Sequence, residues 1–449
     1  MTQHASAFPH KRFFLEMFTR DISVEDCILD LIDNSVDALI RTRNIQVSSL
    51  LRNGRPTKGK ATRIPTVEFT HSPNQVAVID NCGGIPNDLV LNDVFSFGHT
   101  PEYELGALGA YGVGLKRALF KLGRHFVLES RTPTGGFRVS LDVEKWSLKD
   151  SSPEDWYIPV SFIEGVGHEV DAGTSIRITH LRPEVIQRFR DPMTLKRLHD
   201  LVGQAYALFL GKHVRAFVDA KAVEPLTVPL GESSEVNAGV DEFAKGGVKV
   251  TLLTSLAPRD DQGEWLQDKA GWYVFCNGRL VVAADKSDLT GWGIPPLPAW
   301  HSKYRGFVGM ALFQSDDPLA LPWTTTKRDL NRESPIYQYA RERMAILARP
   351  VMTFLNRMYP SEPQEVPADR RIADRVKPIS ISQVAARKSG PFVAKQTPTG
   401  EQLATVRVQY DATKEELDRI RRRLGKTRMS ATRIGRHTLD YFLKRECPR

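Results

Sequence analysis

Apolar side chains recur at helical spacing through FLEMF and CILDLIDNSVDALI, which predicts helix across residues 11–45. Two β-rich runs follow at 64–70 and 75–80 and read as neighbouring strands. A glycine-punctuated stretch covers 81–114, and a helix is expected from Leu115 to about Leu122. Residues 124–142 and 174–179 read as further strands. Helices and strands take turns without a regular βαβ repeat. The pattern therefore predicts an α+β fold, with an α/β sandwich over 11–190 whose helices lie on one face of a mixed sheet.

A second unit is expected over 193–360. It opens on a helix, continues with strands at 213–219, 248–254, 272–276 and 305–313, and closes on a helix from about 336 to 358. Residues 361–398 hold Pro, Ser, Thr and charge with little periodicity and read as a linker. Patterned sequence returns over 400–449, where ATVRVQY alternates and two short helical stretches follow.

Composition changes this picture only at the edges. The 449 residues are 41% apolar with 32 glycines, which excludes a disordered or collagen-like chain. No apolar run of about 18 residues is present, so no membrane span is expected. The N-terminus has no apolar signal region, and the cysteines (Cys27, Cys82, Cys276, Cys447) are scattered; both point to a reduced cytoplasm. Of the net charge of +9, residues 401–449 carry +6, from 13 Lys/Arg against 7 Asp/Glu. Polyanion binding, if present, belongs to that tail.

Three stretches carry candidate chemistry. On a helix, Asp30, Asn34 and Asp37 fall within about 60° of one another, with Ile28, Leu31, Ile32, Ser35 and Leu39 on the other side. Oxygen-bearing side chains in line suit a hard cation, although a solvated acidic face is the plainer reading. A strand ending in Ile79-Asp80 runs into Gly83-Gly84, where a carboxylate can accept from an exocyclic amine and glycines admit a flat ring. A tight turn with an Asp cap explains the same residues. Finally, Gly106, Gly109, Gly112 and Gly114 precede a helix that starts near Lys116, as in an anion cradle. Neither a Walker A nor a Rossmann spacing is present.

In this order the three stretches resemble the GHKL ATPases: gyrase B, the heat-shock chaperone, histidine kinases and MutL. Gly173-Thr174 resembles that family's later Gly-Thr element. The resemblance implies ATP and Mg²⁺ as cofactors. It implies Asn34 as the Mg²⁺ ligand, Asp80 as acceptor for the adenine amine with Thr174 assisting, and the backbone of Gly109, Gly112 and Gly114 around the phosphates. Asp37, Gly84 and Lys116 complete the implied nucleotide-binding set, and the stretch between Gly84 and Gly109 would be the lid. Two positions depart from the family. The water-activating Glu is Asp30 here, one methylene shorter, and the first glycine of the adenine loop is Cys82.

In the second unit, Tyr273–Leu280 resembles the strand and turn of a transducer-type α/β domain in MutL and MORC proteins. The loop Leu321–Leu330 resembles the one that brings a lysine to the γ-phosphate, which implies a catalytic role for Lys327 beside Asp30. The N-terminal wording resembles MORC-like bacterial ATPases. In the tail, a strand at 405–410, a capping box from Thr413 to Glu416, Gly425 and a second helix from Ser430 or Thr432 through Leu443 resemble a ribbon-helix-helix module. That resemblance implies duplex DNA as a partner, with Arg407 and Gln409 reading base edges; a small docking tail is the alternative. The expectation is thus a cytoplasmic, homodimeric, ATP-driven clamp that acts on DNA, with no membrane partner. A non-hydrolysing ATP-dependent scaffold and a DNA-binding regulator stay open beside it.

Overall fold

In the computed structural model the described residues are 9–50, 63–97, 106–109, 112–150, 152–164, 172–358, 368–395, 408–409, 411–426 and 429–447. The helix expected over 11–45 is two helices, Lys11–Arg20 and Val24–Arg43. Ser23 makes the break. Its backbone is extended, and its side chain accepts from the Asp26 amide at 3.1 Å, capping the second helix. Glu25 and Asp26 then occupy the first turn, where the helix dipole favours acids. Asn44, left-handed at φ 47°, closes the other end by donating its amide to the Ile40 and Arg41 carbonyls.

The first sheet has eight strands: β1 (Thr66–Ser72), β2 (Gln75–Asp80), β3 (Gly123–Thr132), β4 (Gly135–Asp142), β5 (Val160–Ile163), β6 (Gly173–Leu181), β7 (Arg215–Val218) and β8 (Lys221–Ala222). Their order is β5-β4-β3-β6-β2-β1-β7-β8. All neighbours are antiparallel except β1 and β7. The strand expected at 213–219, read above as part of the second unit, therefore extends the first sheet. It covers the edge of β1, whose amides and carbonyls would otherwise lack partners. The helices Val24–Arg43 and Gly114–Leu122 pack on one another. Ile28, Leu31, Leu39, Leu119 and Phe120 join Val78, Phe126, Leu128 and Ile176 in one core. This burial fixes the register of the acidic face, because the opposite face of the same helix is apolar.

The second sheet runs β14-β13-β15-β12-β9-β16, with β11 also paired to β12. Its strands are β9 (Gly231–Glu232), β11 (Gly239–Lys245), β12 (Val248–Leu256), β13 (Gly271–Cys276), β14 (Arg279–Asp285), β15 (Phe307–Gln314) and β16 (Lys377–Pro378). The helix Pro335–Arg357 packs against it. Residues 368–395, expected as linker, are folded onto this unit. β16 pairs with β9, and β17 (Val393–Ala394) pairs with β10 (Val236–Asn237). Ile372, Ala373, Val384 and Phe392 are buried there. Two-residue strands and five- to seven-residue helices are too short to carry a readable period.

The tail forms both expected helices, Lys414–Leu424 and Ala431–Glu446. The first opens on the Thr413–Glu416 capping box and ends at left-handed Gly425. Arg407 and most of the expected strand at 405–410 lie outside the described residues; Gln409 is exposed. The tail meets the second unit where Arg433 donates to the Asp261 carbonyl at 2.9 Å, and Met429 and Ile434 of the tail are buried.

Candidate nucleotide site

Four polar residues line one face of the helix Val24–Arg43. Asp30 and Asp33 are buried, while Asn34 and Asp37 are half-buried. Asn34 donates its amide to the Asp30 carbonyl at 2.8 Å. This fixes the side chain and leaves its Oδ1 without a protein partner among the described residues. Asp30 Oδ2 lies 2.9 Å from Arg117 Nη2. Burial pushes the Asp30 carboxyl up, against the pull of Lys327 and Arg117. Asp37 accepts the amides of Leu108 at 2.6 Å and Gly109 at 2.8 Å. Burial still pushes it up to about 6.

The end of β2 places Asp80 across from this helix. Its Oδ2 accepts from the Ser35 hydroxyl at 2.7 Å and its Oδ1 from the Cys82 amide at 2.8 Å. The Thr174 amide also donates to it, but burial outweighs these bonds and raises its pKa. The Thr174 hydroxyl bonds the Ser130 hydroxyl at 2.9 Å, tying the start of β6 to β3. Gly83 and Gly84 turn at φ 116° and 71°. A side chain at Gly84 would meet the Arg131 carbonyl at 2.1 Å, so only glycine lets the chain pass. Arg41 donates to the Gly84 carbonyl and holds the turn to the helix.

The glycine-rich stretch returns to the same helix. Gly109 sits on Asp37, and a Cβ at Gly114 would come 3.0 Å from the Asp30 carboxyl carbon. Gly112 is left-handed at φ 59°. Lys116 is turned elsewhere. Its ammonium donates to the carbonyls of Val94 at 3.1 Å and Ser96 at 2.6 Å, anchoring the segment after Gly84. Burial lowers it to about 8. Residues 98–105 of the expected lid lie outside the described residues.

From the second unit, Lys327 reaches in. Its Nζ lies 2.7 Å from Asp33 Oδ2. Asp33 Oδ1 accepts from Arg279 Nε at 2.8 Å and from the Tyr206 hydroxyl at 2.7 Å. Arg279 and Lys327 together hold the Asp33 carboxyl below its usual range despite full burial. Arg279 also donates to the Lys327 carbonyl at 2.6 Å. The Asn277 amide bonds the Ala107 carbonyl at 3.2 Å, joining the β13–β14 turn to the glycine-rich stretch.

Asp30, Asn34, Asp37, Asp80, Gly84, Gly109, Gly114, Thr174 and Lys327 thus gather around one helix face and the strand end opposite. Asp33, Arg117, Tyr206 and Arg279 escape the sequence pattern. Only Asp33 had a visible signal, standing three residues after Asp30 and four before Asp37 on the same face. One free amide oxygen at Asn34 fits a Mg²⁺ that takes most of its ligands from phosphates and water. Among the described residues no cluster of three or more His, Cys, Asp or Glu forms a metal site of its own.

No curated protein matches the chain. The family model for "Histidine kinase-, DNA gyrase B-, and HSP90-like ATPase" matches residues 22–160, which include the acidic helix, Asp80 and the glycine-rich stretch. Over that segment the chain carries a GHKL-type ATPase domain of this family, and with it the family's capacity to bind ATP.

Proposed function

We propose that this chain is a cytoplasmic, Mg²⁺-dependent ATPase of the MutL- and MORC-like branch, whose two units close on ATP and whose closed form pairs with a second copy. The observation that carries this reading is the convergence of Asp30 and Asn34 with Lys327, which lies some 290 residues along the chain and in the other unit. Asp80 accepts the adenine amine, with Thr174 beside it. Asn34 would hold Mg²⁺, which when bound would offset phosphate charge. Asp30 takes the proton of the attacking water, aimed by its bond to Arg117. Lys327 meets the γ-phosphate and so reports a triphosphate to the second unit. No helix among the described residues is long and apolar enough to cross a membrane.

Sedimentation of the full chain tests the clamp. A nonhydrolysable ATP analogue should raise the dimer fraction, and ADP should leave it unchanged, because only a ligand with differential affinity shifts an equilibrium. The same mass in all three states, or normal dimerisation and turnover by Lys327→Ala, rejects it.

Exposed Arg419, Arg422, Arg423, Arg436, Lys444 and Arg445 on the two tail helices, with Lys426 just past the first, favour a second element of the reading, duplex DNA as a partner. Affinity should then fall with salt at a slope of about −0.9 per neutralised phosphate. Fluorescence anisotropy of a duplex at two salt concentrations, with the full chain and a 1–399 truncation, decides. Equal affinities leave the tail as a docking element.

A further inference from the structure

Lys327 is 6% exposed, and an ammonium buried without a counter-charge is strongly unfavourable. Three acids share the helix face it approaches, and two have other partners. Asp30 is paired with Arg117, and Asp37 is saturated by two backbone amides. Lys327 goes to Asp33. Asp33 is built differently from its neighbours. Its Oδ1 holds Arg279 and Tyr206, and only its Oδ2 faces the lysine. When the lysine leaves, Asp33 stays neutralised by a guanidinium that is itself 1% exposed. Arg279 also holds the carbonyl of Lys327. The backbone of the loop is therefore tethered by Arg279 independently of the bond its side chain makes to Asp33.

We propose that Asp33 is the resting partner of Lys327, and that the terminal phosphate of a nucleoside triphosphate takes the lysine from it. This rests on the reading of Lys327 as the γ-phosphate sensor. Asp33, Arg279 and Tyr206 are positioning residues: they touch no nucleotide, yet they set how readily a triphosphate, and not a diphosphate, recruits the second unit. ADP leaves the lysine on Asp33. ATP breaks one charge-assisted bond and makes another, so the strength of the Asp33–Lys327 pair is subtracted from triphosphate affinity alone.

Calorimetric titration of the full chain with Mg²⁺ plus either ADP or a nonhydrolysable ATP analogue tests this. Asp33→Asn keeps an oxygen for Arg279 and Tyr206 and turns an amide N–H₂ toward the ammonium. The analogue should then bind roughly tenfold more tightly, the scale of one hydrogen bond to a charged group, with ADP changed by less than about twofold. Adding Lys327→Ala should erase the gain. An equal shift for both nucleotides, or a gain that survives without Lys327, overturns the exchange. If Lys327→Ala alone leaves both nucleotides unaffected, the sensor reading fails and the exchange fails with it. If it weakens the analogue while Asp33→Asn changes nothing, only the exchange fails. Should Asp33→Asn not fold, Tyr206→Phe serves instead. It strips one donor from Asp33 and tightens its hold on the lysine, so analogue affinity should drop roughly two- to threefold with ADP unmoved. Unchanged or improved analogue binding by Tyr206→Phe overturns the exchange.

Discussion

The two ends of the proposed nucleotide site, a base end at Asp80 and a phosphate end at Asp30 and Lys327, are built on opposite principles. At the base end, Asp80 is surrounded by neutral donors, the Ser35 hydroxyl and the Cys82 and Thr174 amides, on a strand end and two fixed turns. At the phosphate end, nearly every group already has a partner of its own. Asp30 has Arg117, Asp33 has Lys327 and Arg279, Asp37 has the glycine-loop amides, and Lys116 has two carbonyls. The base end is ready to recognise. On the proposed reading the phosphate end must exchange bonds before it can act. Base contacts can therefore supply affinity common to every adenine nucleotide, while phosphate contacts drive rearrangement and so carry the signal.

The largest expected effect lies at the phosphate end. Asp30→Asn keeps the shape of the side chain and removes its basicity. Phosphate release should fall by about 10²–10⁴-fold while binding of a nonhydrolysable analogue is retained. Turnover at the wild-type rate assigns the base elsewhere. Asn34→Ala, by contrast, should abolish binding of Mg²⁺-nucleotide measured in the same titration, because it removes the neutral amide oxygen offered to the ion, and the neighbouring Asp30 carboxylate is held by Arg117.

Next comes the base end. Asp80→Asn leaves at least one of three donors facing an amide N–H₂ and loses an acceptor for the adenine amine. An unsatisfied buried polar group costs about 1–3 kcal/mol, so affinity should drop roughly 5- to 150-fold. The diagnostic is that ADP and the ATP analogue should lose equally. A loss confined to the triphosphate would break the division between the two ends.

How much of this was legible in the chain follows the same division. Asp30, Asn34, Asp37 and Asp80 sit in short segments whose period or strand ending exposes them. The ion pairs at the phosphate end do not. Tyr206 and Arg279 meet Asp33 from 173 and 246 residues away, and no local pattern marks them. Arg279 follows an Asn277-Gly278 turn that reads as an ordinary hairpin. Arg117 looks like one more cation on a helix until Asp30 is seen against it. The strand at 215–218 was visible as a strand, but its partner β1 was not, since pairing is decided by tertiary packing.

A smaller effect separates the ends by pH. Burial lifts Asp37 from 3.8 to about 6 in the folded chain. Its protonated form is thus favoured by folding. The stability it contributes is complete below the lower value and is lost as pH rises to the upper one. Urea unfolding followed at several pH values in that window should show this decline, and Asp37→Asn should show less of it. Identical pH profiles for the two proteins would mean that burial does not outweigh the Leu108 and Gly109 amides in setting the Asp37 carboxyl.

The smallest effect concerns Cys82, which opens the Gly83-Gly84 turn beside Asp80. Its side chain is 2% exposed and belongs to the core, and its amide and carbonyl are both held, by Asp80 and by the Thr42 hydroxyl. The left-handed turns fall on Gly83 and Gly84, so residue 82 needs no special conformation. Cys82→Gly should accordingly lower stability by about 1–2 kcal/mol through lost burial and added backbone entropy. Nucleotide affinity should move by less than about twofold, well under the effect of a single hydrogen bond to a charged group. Heat unfolding and the same titration read the two quantities independently. A tenfold change in affinity, for ADP and the triphosphate analogue alike, would instead put the sulfur in the wall of the base pocket. The base end would then be specialised in this chain rather than merely preformed.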